Sequence, residues 1–134
     1  MNETIYRRPW DYDLEHESDA RDVEFYRQLV RRLKPSRVLE LGCGSGRLTV
    51  PLASSDEGPE LRVVGVDENP QMLDRARAKL ADATPRVAHR VRLERGDMRD
   101  WRSRERFDLV VIALIWHEWR IVRRAHAASH GKNT

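Results

Sequence analysis

The segment LELGCGSGRL, residues 39–48, constrains the fold more than any other part of this sequence. It places Gly42, Gly44 and Gly46 at every second position directly after an apolar run. Glycines in that place are typical of the turn from a first strand into a helix in α/β proteins, where nucleotide-like ligands bind. Arg47 stands where a dinucleotide-binding loop needs its third glycine, so the spacing is GxGxG. The loop therefore favours a nucleoside with a small uncharged linkage, although a plain tight turn is the alternative.

Apolar runs and helical patterns alternate along the rest of the chain. Helices are predicted over about 19–33, 45–54 and 70–81, and strands over about 37–42, 60–67, 89–97 and 107–115. Asn69 followed by Pro70 is a helix start signal, since the first residue caps and the second has a helical φ. Strands that alternate with helices predict a doubly wound parallel sheet of about four strands.

The two last strands differ in their polarity. The third predicted strand alternates Val91 and Leu93 with arginines, so we expect one exposed face and a place near the sheet edge. The fourth, FDLVVIALI, is apolar at successive positions, which predicts burial on both faces.

Length, charge and cysteine content narrow the class of protein. The 134 residues fit one domain, which we place at 19–134 behind an N-terminal arm at 1–18. The polar N-terminal sequence and the lack of an apolar run of about 20 residues predict a cytoplasmic protein without a membrane span. A net charge of +3, with acids interleaved among the arginines, disfavours nucleic-acid binding. The single cysteine, Cys43, excludes an internal disulfide and a cysteine-rich metal site.

Three acidic residues are predicted at the carboxyl edge of the sheet. Glu40 precedes the first glycine and suits an ammonium or sulfonium group better than a pyrophosphate. Asp67 ends the second strand and is placed to accept both hydroxyls of a ribose, although a charge that only favours the next helix is the alternative. Asp97 follows the third strand and can accept from an exocyclic amine such as that of adenine. Together they predict a cationic adenosyl ligand.

Four segments resemble, in order, the motifs of class I S-adenosylmethionine-dependent methyltransferases: VLELGCGSGRLTVPLA, VVGVDENPQML, GDM and FDLVVIALIWHEW. The resemblance covers about residues 20–120. It implies a Rossmann-like fold, S-adenosylmethionine as cofactor, and transfer of its methyl group to an acceptor, which we expect to be a small molecule. Because the methyl donor is already activated, the main task of the protein is to hold donor and acceptor in a reactive geometry.

The resemblance also implies the residues of the site. The methionine end of the cofactor is expected to contact Glu40, Gly42, Cys43, Gly44, Gly46 and the backbone of Ala113. The ribose and adenine are expected to contact Asp67, Glu68, Met72, Asp97 and Met98. Apart from the resemblance, the N-terminal arm either closes over the cofactor, with Tyr12 facing it, or is a mobile arm anchored by Trp10. His117 is a candidate to remove a proton from the acceptor, with a structural or surface histidine as the alternative.

The chain has fewer predicted strands than the family it resembles. That family's full sheet has seven strands, and after IWHEW the sequence predicts only one helix and a polar tail. An apolar fourth strand left at an edge would favour a homodimer. The hypotheses are therefore a methyltransferase whose remaining strands lie elsewhere, a non-catalytic S-adenosylmethionine-binding module, and, less favoured, an NAD-dependent oxidoreductase.

Overall fold

A parallel sheet of four strands organises the computed structural model, which describes residues 21–55 and 60–112. The strands are β1 (Arg37–Leu41), β2 (Arg62–Asp67), β3 (Val91–Arg95) and β4 (Leu109–Val111). Their order is β3-β2-β1-β4, and every neighbouring pair is parallel. The strand order reverses between β1 and β4, which places a ligand crevice at the carboxyl end of β1. The predicted α/β fold and its parallel sheet are confirmed.

Four helices connect or precede these strands. They are α1 (Arg21–Leu33), α2 (Thr49–Ala53), α3 (Pro70–Asp82) and α4 (Pro85–Arg90). The start of α3 follows the predicted signal, because the Asn69 side chain accepts from the backbone N–H groups of Gln71 and Met72. The first three helices were predicted.

Two helices differ from the sequence-based expectation. The second begins at Thr49 rather than at about residue 45, because Gly46 has a φ of 81°, which a right-handed helix excludes. The short helix α4 was not predicted, although Thr84 and Pro85 repeat the cap and proline of α3. The Thr84 side chain accepts from the backbone N–H of Val87, so the missed signal was local.

The main core lies between one face of the sheet and the helices. Its fully buried members include Val30 of α1, Val38 of β1, Leu52 of α2 and Val63 of β2. The other face carries a smaller cluster of Leu39, Val64 and Val66, against which Trp101 and Phe107 pack. Both aromatic residues come from the β3–β4 connection, residues 96–108, which contains no helix.

The two edge strands have different surfaces. β3 is an edge strand with partly exposed residues, as predicted, and its Arg92 forms ion pairs with Glu94 and Glu105. The expectation that the fourth strand is buried on both faces is wrong for its described part, because Val110 is 51% exposed. The reason is that β4 lies at the edge of the sheet, since among the described strands it pairs only with β1. No helix within 21–55 and 60–112 is long and apolar enough to span a membrane.

Candidate functional site

The glycine loop joins β1 to α2 at the carboxyl edge of the sheet. Gly42, Gly44 and Gly46 have φ angles of 72°, 56° and 81°, in the left-handed region that costs other residues about 1–2 kcal/mol. The backbone N–H groups of Gly42 and Cys43 both donate to the Val66 carbonyl, at 2.8 and 3.0 Å. The loop is therefore held against the end of β2 by its backbone, and the three glycines are needed for its path.

Close packing beneath the loop depends on two glycines. A Cβ at Gly46 would lie 3.2 Å from the Cβ of Ala76 in α3. A Cβ at Gly65, in the middle of β2, would lie 3.0 Å from the Sγ of Cys43 and 3.0 Å from Leu93. Sequence reasoning did not single out Gly65, although a glycine inside an apolar strand signals close approach of another group.

Cys43 is a packing residue of this loop. Its side chain is buried against Gly65, and the Sγ contacts the Gly44 carbonyl at 3.8 Å. Burial raises the pKa of the Cys43 thiol, and the nearby carboxyl groups of Glu40 and Asp67 act in the same direction. A nucleophilic role needs a thiolate, so the surroundings of Cys43 disfavour one.

Asp67 connects the glycine loop to the start of α3. One carboxylate oxygen accepts from the backbone N–H of Gly44 at 2.8 Å, and the other accepts from Asn69 at 2.9 Å. The backbone carbonyl of Asp67 also accepts from Gly96, at 3.0 Å. Asp67 thus joins the carboxyl ends of β1, β2 and β3 in one place, a structural role that sequence reasoning did not anticipate.

Glu40 is a buried carboxyl group with few partners. Its side chain is 2% exposed, and its only hydrogen-bond donor within the described parts of the chain is the Thr49 hydroxyl, 3.3 Å from each oxygen. Desolvation raises the pKa of Glu40 to about 8, and the Thr49 hydrogen bond opposes this shift. Near neutral pH Glu40 is therefore mostly protonated. A cation placed beside it would favour the ionised form.

An ion pair ties α1 to the glycine loop. The Arg47 guanidinium donates to both carboxylate oxygens of Asp22, at 2.9 and 2.5 Å. The Arg47 hydrogen bond holds the pKa of Asp22 below its usual value. Sequence reasoning missed this pair because no local pattern links two residues that lie 25 positions apart.

Asp97 lies at the end of β3 in a tight turn. Its carboxylate accepts from the Arg99 side chain and, at 2.9 Å, from the Arg99 backbone N–H. These hydrogen bonds lower the pKa of Asp97 to about 2, so it is ionised at neutral pH. The turn also needs Gly96, because a Cβ there would lie 2.7 Å from Trp101. The Asp97 carboxylate therefore already accepts hydrogen bonds from Arg99. Sequence reasoning did not anticipate this partner.

The remaining predicted site residues fall into two groups. Within the structure, Met72 is fully buried in the first turn of α3, Met98 is half-buried and Glu68 is exposed. Tyr12, Ala113 and His117 lie outside the described residues. The structure thus brings Glu40, Asp67 and Asp97, with the three loop glycines, to one edge of the sheet. No group of three potential metal ligands occurs within 21–55 and 60–112.

Comparison with known families and curated proteins gives a consistent result. A family model described as a methyltransferase domain matches residues 38–130. Trans-aconitate 2-methyltransferase of Rhodococcus jostii is 37% identical over 103 residues, which are 74% of this chain and 36% of that protein. The enzyme of the same name from Mycobacterium marinum is 35% identical over 131 residues, which are 91% of this chain and 45% of that protein.

Solved structures agree with these sequence relatives. The glycopeptide N-methyltransferase MtfA complexed with sinefungin is 33% identical with a TM-score of 0.58, over 67% of this chain and 35% of that chain. The same protein complexed with S-adenosyl-L-methionine gives 33% identity and a TM-score of 0.58, over 67% of this chain and 39% of that chain. The chain therefore spans less than half the length of the relatives described here.

Proposed function

This chain belongs to the methyltransferase-domain family, and from that premise we propose that it binds S-adenosylmethionine and transfers the methyl group to a small-molecule acceptor. The observation that carries the proposal is Glu40, a carboxyl group 2% exposed beside the glycine loop with a single weak hydroxyl partner in the described structure. A buried acid in that state fits a cationic ligand and not a pyrophosphate. Arg47 occupies the position where a dinucleotide-binding loop has glycine, which also disfavours an NAD-dependent oxidoreductase.

The proposed donor-binding residues are assigned from their places at the carboxyl edge of the sheet. We assign Glu40 and the glycine loop to the methionine end and Asp67 to the ribose hydroxyls, since its carboxylate lies where the loop meets β2. Asp97 is assigned to the adenine amino group, which requires the exposed Arg99 side chain to share or leave the carboxylate. We keep Met72 and Met98 as the apolar contacts of the adenine.

The donor supplies a methyl group that is already activated on a sulfonium sulfur. The chain's own residues then have to orient that group and exclude water from it, which needs no dedicated nucleophile. His117, which follows β4 in sequence, is our candidate for removing the acceptor's proton, and Tyr12 for covering the donor.

The acceptor we propose is a small molecule and not a nucleic acid. Support comes from the curated relatives, which are named for trans-aconitate. Because the chain spans less than half of their length, a second candidate function is a module that binds the donor without transferring the methyl group. A cytoplasmic location stays a prediction of the sequence.

The test is calorimetric titration of the chain with S-adenosylmethionine and with NAD, followed by transfer of a labelled methyl group to trans-aconitate. We expect binding of S-adenosylmethionine but not of NAD, together with a labelled methylated product. Donor binding without transfer of the label, either to trans-aconitate or to any compound in a mixed metabolite extract, favours the second candidate. NAD binding without a response to S-adenosylmethionine contradicts both.

Donor binding is expected to depend on pH through Glu40. Affinity for S-adenosylmethionine should rise by up to about tenfold per unit from about pH 6 to about pH 8 and then level off. The reason is that only ionised Glu40 attracts a cation, while its pKa in the ligand-free chain is about 8. Glu40→Gln, which carries no charge at any pH, should bind more weakly. Any slope that remains in this control reports groups other than Glu40, and a slope equal to that of the parent chain contradicts the assignment.

The same carboxyl group is expected to link stability to pH. Because folding raises the pKa of Glu40 from 4.5 to about 8, the folded chain binds the proton more tightly than the unfolded chain between these values. The stabilisation is therefore full below about pH 4.5 and is lost as the pH rises through about 8. Thermal unfolding of Glu40→Gln across this range should lack that decline.

We also propose a homodimer that forms through β4. Val110 and Ile112 expose apolar surface, and the outer edge of β4 pairs with no strand within the described ranges. Val110→Lys should raise the dimer dissociation constant about tenfold or more, because burying a valine contributes about 1.5 kcal/mol or more. Phe25→Lys, on the exposed side of α1, is the matched control and should leave the dimer intact. Sedimentation velocity measures both, and a monomeric parent chain contradicts the proposal.

A further inference from the structure

Arg99 places its side chain directly on the Asp97 carboxylate. The guanidinium Nε lies 2.9 Å from Oδ1 and 3.0 Å from Oδ2, and a terminal guanidinium nitrogen also donates to Oδ2. The backbone N–H of Arg99 donates to Oδ1 at 2.9 Å. Each carboxylate oxygen therefore contacts two N–H groups of Arg99. Because an ionised carboxylate offers about four acceptor positions, little capacity remains for a further donor.

The two partners differ in how firmly they are held. The backbone carbonyl of Asp97 accepts from Trp101 at 2.8 Å, and the preceding Gly96 donates to the Asp67 carbonyl at 3.0 Å, so the backbone here is fixed. The Asp97 side chain is 25% exposed, whereas that of Arg99 is 66% exposed. An ion pair with so much contact with water contributes little free energy, so the guanidinium can leave the carboxylate at small cost.

Asp67 shows a different arrangement at the same edge of the sheet. Its carboxylate oxygens accept from the backbone N–H groups of Gly44 and Asn69, which cannot move away without a change in the path of the chain. The Asp97 carboxylate also has one backbone donor, the N–H of Arg99, so it stays oriented when the Arg99 side chain leaves. Departure of that side chain then frees Oδ2 as an acceptor.

We propose that Arg99 is a specificity-determining residue of the donor site: its guanidinium competes with the adenine amino group for the Asp97 carboxylate, and a bound adenosyl ligand displaces it. This inference rests on the proposed function, which assigns the adenine amino group to Asp97. The amino group takes the place of the guanidinium at Oδ2, and the Arg99 side chain moves into solvent. The affinity for adenosyl ligands is therefore lower than the carboxylate alone would allow.

Competition of this kind affects which purine base the site accepts. A base with an oxo group in place of the amino group offers no N–H at that position, and its oxygen is repelled by a carboxylate without a cation. The Arg99 guanidinium neutralises Asp97 and can also donate to the oxo group, since arginine has N–H donors and no acceptor. Arg99 therefore reduces the difference in affinity between amino and oxo purines.

The test compares Arg99→Ala with the parent chain, using two ligands that lack the sulfonium charge. S-adenosylhomocysteine carries the amino group, and S-inosylhomocysteine carries oxygen in its place. In calorimetric titration, Arg99→Ala should bind S-adenosylhomocysteine up to about fivefold more tightly, as expected for loss of an exposed competing ion pair. It should bind S-inosylhomocysteine more weakly, so that the ratio of the two affinities rises by about tenfold.

Three variants control for charge and geometry. Arg102→Ala removes an equal charge from an exposed side chain of the same β3–β4 connection and should change neither affinity. Arg99→Lys keeps the charge but loses the forked contact, so its affinity for S-adenosylhomocysteine should lie between those of the parent chain and Arg99→Ala. In the Asp97→Asn background, Arg99→Ala should give no gain in that affinity, because the ion pair is already lost.

Displacement of the side chain is measured directly by NMR. The Arg99 Nε–H gives a ¹⁵N signal that is assigned by its loss in Arg99→Lys, and Asp97→Asn gives the position of this signal without the ion pair. Saturation with S-adenosylhomocysteine should move the parent signal to that position, whereas S-inosylhomocysteine should leave it near its starting place. A signal that does not move when S-adenosylhomocysteine binds overturns the inference.

The sign of the affinity change separates competition from other roles of Arg99. A merely structural role, or stacking of the guanidinium on adenine, predicts that Arg99→Ala binds S-adenosylhomocysteine more weakly, and that result overturns the inference. An unchanged affinity, or an equal gain in the Asp97→Asn background, also overturns it while the proposed function stands. Failure of every variant to bind S-adenosylhomocysteine contradicts the proposed function, and the inference with it.

Discussion

Replacing Asp67 with alanine is expected to lower the affinity for S-adenosylmethionine by about 100-fold or more. The carboxylate accepts from the backbone N–H groups of Gly44 and Asn69, and each hydrogen bond to a charged group contributes about 1.5–3 kcal/mol. Loss of both loosens the loop that binds the methionine end and removes the acceptor proposed for the ribose. The size of the effect follows from the proposed ribose contacts: two hydroxyl hydrogen bonds to a charged carboxylate contribute about 1.5–3 kcal/mol each, and because 1.4 kcal/mol is a factor of ten, they correspond to about two orders of magnitude or more in affinity.

The controls for this variant separate the charge from the hydrogen bonds. Asp67→Asn keeps one acceptor oxygen, so its affinity should lie between those of the parent chain and Asp67→Ala. Asp74→Ala, on the exposed surface of α3, removes a carboxylate whose ion pair within the described residues is with Arg77, and it should leave binding unchanged. Calorimetric titration measures all three. Binding by Asp67→Ala within a few-fold of the parent value would remove Asp67 from the donor site.

The second large effect is expected for Gly46→Ala, which should destabilise the chain by about 2–5 kcal/mol. A side chain at a φ of 81° costs about 1–2 kcal/mol. Its Cβ would also lie 3.2 Å from the Ala76 Cβ, and overpacking of this kind typically costs about 1–3 kcal/mol. The melting temperature should therefore fall by about 10 °C, which differential scanning calorimetry measures.

A double-mutant cycle tests the physical reason for that loss. Ala76→Gly removes the opposing methyl group and by itself costs about 1 kcal/mol of helix stability. In the Gly46→Ala, Ala76→Gly double variant the packing part should be relieved, while the backbone strain at residue 46 should persist. Strictly additive changes in the free energy of unfolding would show that the side chains at positions 46 and 76 do not clash.

The elements that sequence reasoning predicted well depend on short-range physics. Asn69 caps α3 by accepting from residues two and three positions ahead, so the whole interaction lies within one turn. The strand β2 is an apolar run that ends at Asp67, and the structure ends it there. The missed helix α4 has an equally local signal at Thr84, so it was predictable from the sequence.

The errors concerned burial and partners. The apolar pattern of β4 predicted two covered faces, but coverage depends on which elements lie beside a strand, and Val110 is exposed at the edge. The Arg99 side chain pairs with Asp97, a partner that sequence reasoning did not indicate, while the role of Asp97 as an acceptor for adenine stays a prediction. A sequence pattern indicates which interactions a side chain can form. It does not show which partner that side chain has in the folded chain.

By itself, the sequence determined the glycine loop, the helix that follows Asp67, and the meeting of Glu40, Asp67 and Asp97 at one edge, because parallel strands align their carboxyl ends. Only the tertiary structure decided the charge of Glu40, the packing of Cys43 on Gly65 and the Asp22–Arg47 pair. The physical reason is that desolvation and ion pairing depend on distances in space, between residues whose separation along the chain carries no signal.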